Sequence, residues 1–439
     1  MPPTPRLILI RNGHVVDLGQ RIEGPLDVLI ERGKIVQLQP RDAEIPESAY
    51  RVEAGGQIVC PGFVDLHVHL RFPGLPEKET MESGTAAAAA GGFTTVCAMA
   101  NTRPVVDSVE VLRQVQEEAE RAARVRVCQL AALTCGLQGE RMTDLSALAD
   151  AGAVAFSDDG QPVFNSEIMQ EALSRMDGLN RTISAHEEDR AIVGRGVANQ
   201  RAAQALGLPP WPCQGEARMV ERDISLLREA GGRLHIAHVS CARTVDLIRA
   251  AKADGLAITA EVTPHHLLLT DRLVEGDASS GLQPGHPNTK VNPPLRTEED
   301  AEALLGGLLD GTIDAIATDH APHAAADKNK PYAEAAFGFT GSETALPLLL
   351  ELVSRGRIAL PFLIEKLTLG PARVFGLDAG TLHPGAPADV TIFDPDAAWT
   401  VAPHELHSLG KNTPLLGREL HGRVSMTMVD GQIVHVEGV

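Results

Sequence analysis

The spacing of apolar and polar residues changes along this chain and divides it into three regions. Between residues 6 and 58, short β-like runs at 7–10, 14–16, 27–31, 34–38 and 50–53 are separated by turns such as Asn12-Gly13 and Arg32-Gly33. No helical period is evident there. The same texture returns at 389–393, 425–429 and 432–436, around the turn Asp430-Gly431. Between these ends the pattern alternates. Strand signals fall near 57–68, 94–100, 126–133, 153–158, 182–186, 233–239, 257–263 and 313–319. Helical signals fall near 79–91, 106–123, 142–151, 166–177, 188–206, 215–231, 242–254, 298–309 and 342–354. Eight strands with helices between them is the count of a (β/α)8 TIM barrel. The expectation is an α/β protein with that barrel over 58–379. Residues 1–57 and 380–439 would form one small β-sandwich domain built from both termini.

In such a barrel, chemistry sits at the C-terminal ends of the strands. Along 58–71 an apolar run turns into an alternating one, so that Phe63, Asp65, His67 and His69 share a face and Arg71 follows. The later strand segments end in Asn101-Thr102, Ser157-Asp158-Asp159-Gly160, His186-Glu187, His235 to His238, Glu261 to His266, and Asp319 to His323. Each has a bland explanation as a cap or a turn. Their coincidence at one end of one barrel does not. Two long segments, 271–292 and 322–341, interrupt the alternation and read as lids or substrate clamps. Residues 208–214 read as a rigid structural connector.

Composition narrows the classes. Acidic residues outnumber basic ones by 58 to 39, a net charge of −19, which argues against nucleic acid or an anionic membrane as partner. An anionic substrate would therefore need locally placed cations. The six cysteines follow no framework and read as reduced thiols of a cytoplasmic protein. The first residues lack a signal-peptide pattern, and no apolar run is long enough to span a bilayer.

His67, His69, His186 and His238, with Asp159 and Asp319, offer six ligands from five strand ends. That is more than one zinc ion needs, and it suits two metals roughly 3.5–4 Å apart. Such a pair makes hydroxide available near neutral pH, and an aspartate beside it can pass a proton to a leaving nitrogen. Arg71, Asn101, Asn292 and His323 remain to hold an anionic or amide-bearing substrate, since arginine can grip a carboxylate through two bonds. The chemistry implied is metal-assisted hydrolysis of a carbonyl–nitrogen bond, or its reversal. Spacing alone leaves Asp158 and Asp159 equally placed. His235 reads as a buried structural residue, and His265 and His266 as either supporting partners or structural. His14, His286, His383, His404, His407, His421 and His435 read as exposed or loop residues.

On these residues the sequence resembles the dihydroorotases of the amidohydrolase superfamily, of the kind found as a separate bacterial chain. The matching stretches are 61–71, 73–80, 101–104, 156–160, 185–187, 238–240, 261–268, 292–295, 317–323, Phe337-Gly338, Ala388-Asp389 and 410–414, and the resemblance extends over essentially the whole chain. The resemblance implies a binuclear zinc centre with His67 and His69 on one ion, His186 and His238 on the other, and Asp159 bridging. Asp319 would ligate the first ion and act as general acid/base. Arg71, Asn101, Asn292, His323 and the Phe337-Gly338 backbone would bind dihydroorotate, the product of cyclising N-carbamoyl-L-aspartate in pyrimidine biosynthesis.

Hydantoinases and allantoinases keep a similar centre but usually bridge it with a carboxylated lysine; no lysine occurs in 153–160. A non-catalytic scaffold for aspartate transcarbamoylase would typically have lost ligands, and all six are present. A homodimer and a complex with aspartate transcarbamoylase are further expectations from the family. Ala100, Ala336 and Ser342 depart from its usual pattern beside, but not at, the expected functional positions.

Overall fold

The computed structural model describes residues 6–40, 48–278 and 281–438. The N-terminal residues read for a signal pattern and residues 279–280 of the long 271–292 segment lie outside them. Both chain ends build sheets. Lys34–Gln39, Asp27–Glu31, Leu7–Arg11 and Tyr50–Glu53 form one of four strands. The other has six, in the order Gln432–Val436, Glu419–Val429, Val390–Thr400, Ile58–Pro61, His14–Asp17 and Ile22–Pro25. Ile8, Ile10, Val28 and Ile30 from the first sheet share a buried cluster with Val15, Val59, Val390 and Met428 from the second. Alternating β-branched residues present one apolar face from each sheet, which is what such packing needs.

The middle of the chain carries parallel strands. Phe63–Val68, Phe93–Ala98 and Arg126–Gln129 pair in sequence order. Single parallel bridges then run from Ala131 to Phe156 and from Phe156 to Ile183. Ile183–Ala185, Leu234–Ile236, Ile258–Val262 and Ala315–Ile316 continue the order. A parallel bridge between Val68 and His320 returns to the first strand, so the pairings close on themselves as a (β/α)8 barrel requires. Helices intervene, several with side-chain caps: Thr80 starts Met81–Ala90 and Thr297 starts Glu298–Leu309, each through a reciprocal capping box.

Three expectations changed. The strand expected over 57–68 is two strands, because residues 58–61 pair in the terminal sheet and the chain crosses at Gly62. A Cβ there would sit inside Thr94. The strand expected over 153–158 shrinks to the bridge at Phe156. The Asp158 carboxylate draws its neighbourhood off the ladder by accepting from the Leu133 and Thr134 amides at 2.7 and 3.0 Å. The helix expected over 188–206 is broken into Arg190–Val193 and Gln200–Leu206, because Gly194 takes φ 58° and Gly196 lies against the Pro210 carbonyl. Leu360–Leu367 and Leu369–Phe375 are helices that the periodicity did not reveal. All six cysteines are free thiols. Among the described residues, no helix is long and apolar enough to cross a membrane.

Candidate metal centre

A register shift between Asp65 and Val68, against Phe93–Ala98, re-aims the first parallel strand at His67 and just before His69. Asp65 anchors the turn by accepting from the Thr318 amide at 3.0 Å and the Thr318 hydroxyl at 2.6 Å. Three non-glycine residues at these strand ends have left-handed backbone: Arg71 at φ 60°, His238 at φ 33° and Asp319 at φ 48°. Such conformations are costly and persist where the surroundings impose them, which is typical of sites that aim side chains at a common point.

That common point lies at Asp159. Its Oδ1 is 3.4 Å from His67 Nε2, 3.4 Å from His186 Nδ1 and 3.6 Å from His238 Nε2, and its Oδ2 is 3.6 Å from His69 Nε2. Asp319 Oδ1 is 3.1 Å from His69 Nε2 and 3.6 Å from His67 Nε2. Asp158 points away, onto Thr134, so the ambiguity left by spacing disappears in the geometry. All six residues are buried. Burial opposes ionisation of both aspartates. For Asp159 the His67, His186 and His238 imidazoles overcome it, and for Asp319 the His69, His67 and His238 imidazoles do, holding both carboxyls below the usual range.

The donor set fits divalent metal. Ligand atoms of His67, His69 and Asp319 lie within 4.8 Å of one another, as do those of His67, Asp159 and His238. The His67 Nε2 atom is fully buried, has no hydrogen-bond partner and faces both carboxylates. Imidazole nitrogens with carboxylate oxygens are ligands that suit zinc. His186 belongs to neither trio, yet its Nδ1 lies 3.0 Å from His238 Nε2, beside the second.

The surrounding residues fix the imidazoles, and sequence reasoning missed most of them. Glu261 places one oxygen 2.9 Å from His67 Nδ1 and the other 3.1 Å from His235 Nε2. A carboxylate there keeps the proton on His67 Nδ1 and leaves Nε2 free to ligate. Glu188 does the same for His186, at 3.3 Å from Nε2. Asn101 Oδ1 accepts from His69 Nδ1 at 3.0 Å while its amide donates to Asp159 Oδ2 at 3.0 Å, so its side chain orients both groups. Glu261 had a visible signal, an acid at a strand end, but no local pattern ties it to a histidine 194 positions away. Glu261→Gln should weaken metal binding roughly 10- to 100-fold, read by metal titration of stripped protein. Undiminished affinity would leave Glu261 a purely structural role.

The residues expected to hold substrate flank this cluster. Arg71 Nε donates to the Pro322 carbonyl at 3.2 Å, and its Nη2 lies 3.4 Å from His323 Nε2. His323 Nε2 donates to the Phe337 carbonyl at 2.7 Å. Gly338 has φ 105°, and a Cβ there would overlap Ala321 and approach His323. Asn292 donates to Glu188 at 3.0 Å, and its Oδ1 is buried without a partner. His266 joins Thr263 to the Pro293 carbonyl at 3.0 Å, supporting the Asn292 segment, while His265 packs on Phe339. His235 is fully buried between Thr259 and Glu261, as a structural histidine. Of the seven histidines read as exposed or loop residues, none is buried.

A model of the dihydro-orotase-like family matches residues 56–244. Over 433 residues, covering 98% of both chains, the sequence is 48% identical to a dihydroorotase from Anaeromyxobacter sp. strain K. It is 44% identical over 431 residues to a dihydroorotase from Syntrophus aciditrophicus, covering 98% of this chain and 99% of that one. Among solved structures, the L-hydantoinase (dihydropyrimidinase) of Arthrobacter aurescens superposes with a TM-score of 0.87 at 28% identity, covering 98% of this chain and 96% of the other. The D-hydantoinase (dihydropyrimidinase) of a Thermus species gives 0.82 at 26%, with coverage of 98% and 97%.

Proposed function

The chain belongs to the dihydroorotase family, and we propose that its buried His/Asp cluster carries out that family's reaction with two zinc ions. It is a hydrolase of a cyclic amide bond acting in pyrimidine biosynthesis, and the reaction interconverts L-dihydroorotate with N-carbamoyl-L-aspartate. We assign the closed ring of strands, within 58–379, to a (β/α)8 barrel. Residues 1–57 and 380–439 are assigned to a supporting β-sandwich, on whose side the strand Ile58–Pro61 pairs.

His67 and His69 with Asp319 would hold one ion, His186 and His238 the other, and Asp159 would span both. When bound, the metal pair supplies Lewis acidity and lowers the pKa of water towards neutrality. The chain's own groups do the rest. In the hydrolytic direction Asp319 accepts the proton of the attacking water and returns it to the ring nitrogen as the carbonyl–nitrogen bond breaks. In the cyclising direction the same carboxylate takes the proton from the ureido nitrogen and gives it to the departing oxygen. Arg71 supplies the local positive charge for the substrate carboxylate that a chain of net charge −19 otherwise lacks, and His323, which burial and the neighbouring guanidinium hold neutral, lies beside it. Burial lowers the Arg71 guanidinium to about 10, so it stays charged at neutral pH. Asn292, with an unpartnered buried oxygen, can accept from a substrate N–H.

The observation carrying this reading is Asp159, a plain carboxylate within 3.6 Å of four imidazoles at the bridging position. A second reading, a hydantoinase-type enzyme, draws on the resemblance to the Arthrobacter and Thermus structures. Initial rates on dihydroorotate, carbamoyl-aspartate, hydantoin and allantoin, with and without chelation, decide between them. Metal-dependent turnover confined to the first two is expected; turnover of hydantoin would overturn it. Arg71→Lys should raise KM for dihydroorotate roughly tenfold with less change in kcat, because one ammonium cannot grip a carboxylate through two bonds. An unchanged KM would remove Arg71 from the carboxylate site. Native mass and co-elution with aspartate transcarbamoylase test the expected homodimer and complex in the cytoplasm.

A further inference from the structure

Each of the two long segments, 271–292 and 322–341, carries a buried lysine: Lys290 joins the first to the second, and Lys328 braces the second from within. Lys290 is 1% exposed and Lys328 is 4% exposed. Lys290 Nζ donates to the carbonyl oxygens of Ala333 at 3.0 Å and Ala335 at 2.7 Å, and sits 4.2 Å from the centroid of the Phe337 ring. Lys328 Nζ donates to the carbonyls of Ala336 at 2.8 Å and Gly338 at 2.9 Å. Among the described residues, every hydrogen-bond acceptor of both ammonium groups is a backbone carbonyl of 333–338. The Gly338 amide in turn donates to the Lys290 carbonyl at 2.8 Å, two residues before Asn292. Asn412 closes the far side, donating to the carbonyls of Ala321 and Gly338 and accepting from the His323 amide.

Burying an ammonium without a carboxylate is costly, and burying two close together more so. A space-filling role would be met by methionine without that penalty. What an ammonium does that methionine cannot is to gather several carbonyls and fix the path of 333–338, which has no strand or helix of its own. That segment presents the Phe337 carbonyl, on which the His323 imidazole rests.

We propose that Lys290 and Lys328 are positioning residues, Lys290 fastening the end of the first long segment to the second and Lys328 holding the second along its own path, so that 333–338 is one preformed wall of the substrate site. The wall holds His323 in place beside Arg71, where the anionic end of the substrate would sit. The segments are then not independent lids. This inference rests on the dihydroorotase reading and on His323 and the Phe337-Gly338 backbone as substrate-binding groups. Removing either ammonium leaves two carbonyls in search of partners and lets 333–338 shift, while the metal centre stays intact.

The test compares the wild-type enzyme with Lys290→Met and Lys328→Met in kinetics, metal content, melting temperature and amide hydrogen exchange. Expected is a KM for dihydroorotate raised about tenfold or more with a smaller change in kcat. Metal content and melting temperature should hold near wild type, with faster exchange at 333–340. In Lys328→Ala, added propylammonium should return KM towards the wild-type value, which a merely structural defect would not permit. A KM within about twofold of wild type in both variants, or one that rises only together with lost metal or a lowered melting temperature, would overturn the proposal. Exchange reads the fastening without substrate. Unchanged exchange in the variants would refute it even if the wild type failed to turn over dihydroorotate, which would itself be the failure of the functional reading alone.

Discussion

Asp319→Asn should leave dihydroorotate binding measurable and nearly abolish turnover. The side chain sits at a strand end on left-handed backbone, with Oδ1 3.1 Å from His69 Nε2 and 3.6 Å from His67 Nε2. Asparagine keeps the shape and one oxygen ligand but cannot take or give the proton. A positioned acid/base contributes roughly 10²–10⁴-fold, and altering a ligand adds to the loss, so kcat should fall by about 10³-fold or more. That corresponds to about 4 kcal/mol of barrier. The check is single-turnover kinetics beside a binding isotherm and elemental analysis. Turnover within about tenfold of wild type, at full metal content, would exclude the proton role.

Asp159→Ala should lower metal content to one ion per chain or less, and activity with it. Among the described residues, this carboxylate is the one group whose oxygens face all four imidazoles. Its loss removes the only proposed bridge and leaves buried nitrogens without their anionic partner. Asn101, which donates to Asp159 Oδ2, would lose its acceptor as well, and with it part of the hold on His69. Elemental analysis of the purified variant reads the outcome directly. Two fully bound ions would place the bridge elsewhere.

What was legible in the sequence was whatever local periodicity encodes. The alternation through His67 and His69, the succession of strand ends bearing polar groups and the β-rich termini all follow from spacing within a dozen residues. Long-range pairings were not legible. Glu261 reaches His67 across 194 positions, and nothing near either residue announces it. Asp158 and Asp159 are adjacent acids that spacing cannot tell apart; the resemblance selects Asp159, and the fold turns Asp158 onto the Leu133 and Thr134 amides. The strand expected over 57–68 runs through Gly62 because the apolar run at 58–61 passes directly into the alternating one at 63–68. The two pieces belong to different sheets, as only their partners reveal. Asn101 was expected to face substrate; its bonds to His69 and Asp159 give it a second task that residue type alone does not convey.

The six-stranded sheet has a further consequence for how the protein is made. Ile58–Pro61 is flanked by Val390–Thr400 on one side and His14–Asp17 on the other. On the ribosome the early strands emerge first, and their late partner appears only after most of the chain has been translated. At cellular synthesis rates that interval is on the order of tens of seconds, during which Ile58–Pro61 presents an unpaired apolar edge. The nascent protein is therefore at its most sticky before its final 50 residues, which begin at Val390, are made. A holdase that binds extended apolar segments should raise the yield of active enzyme more when supplied during translation than after it.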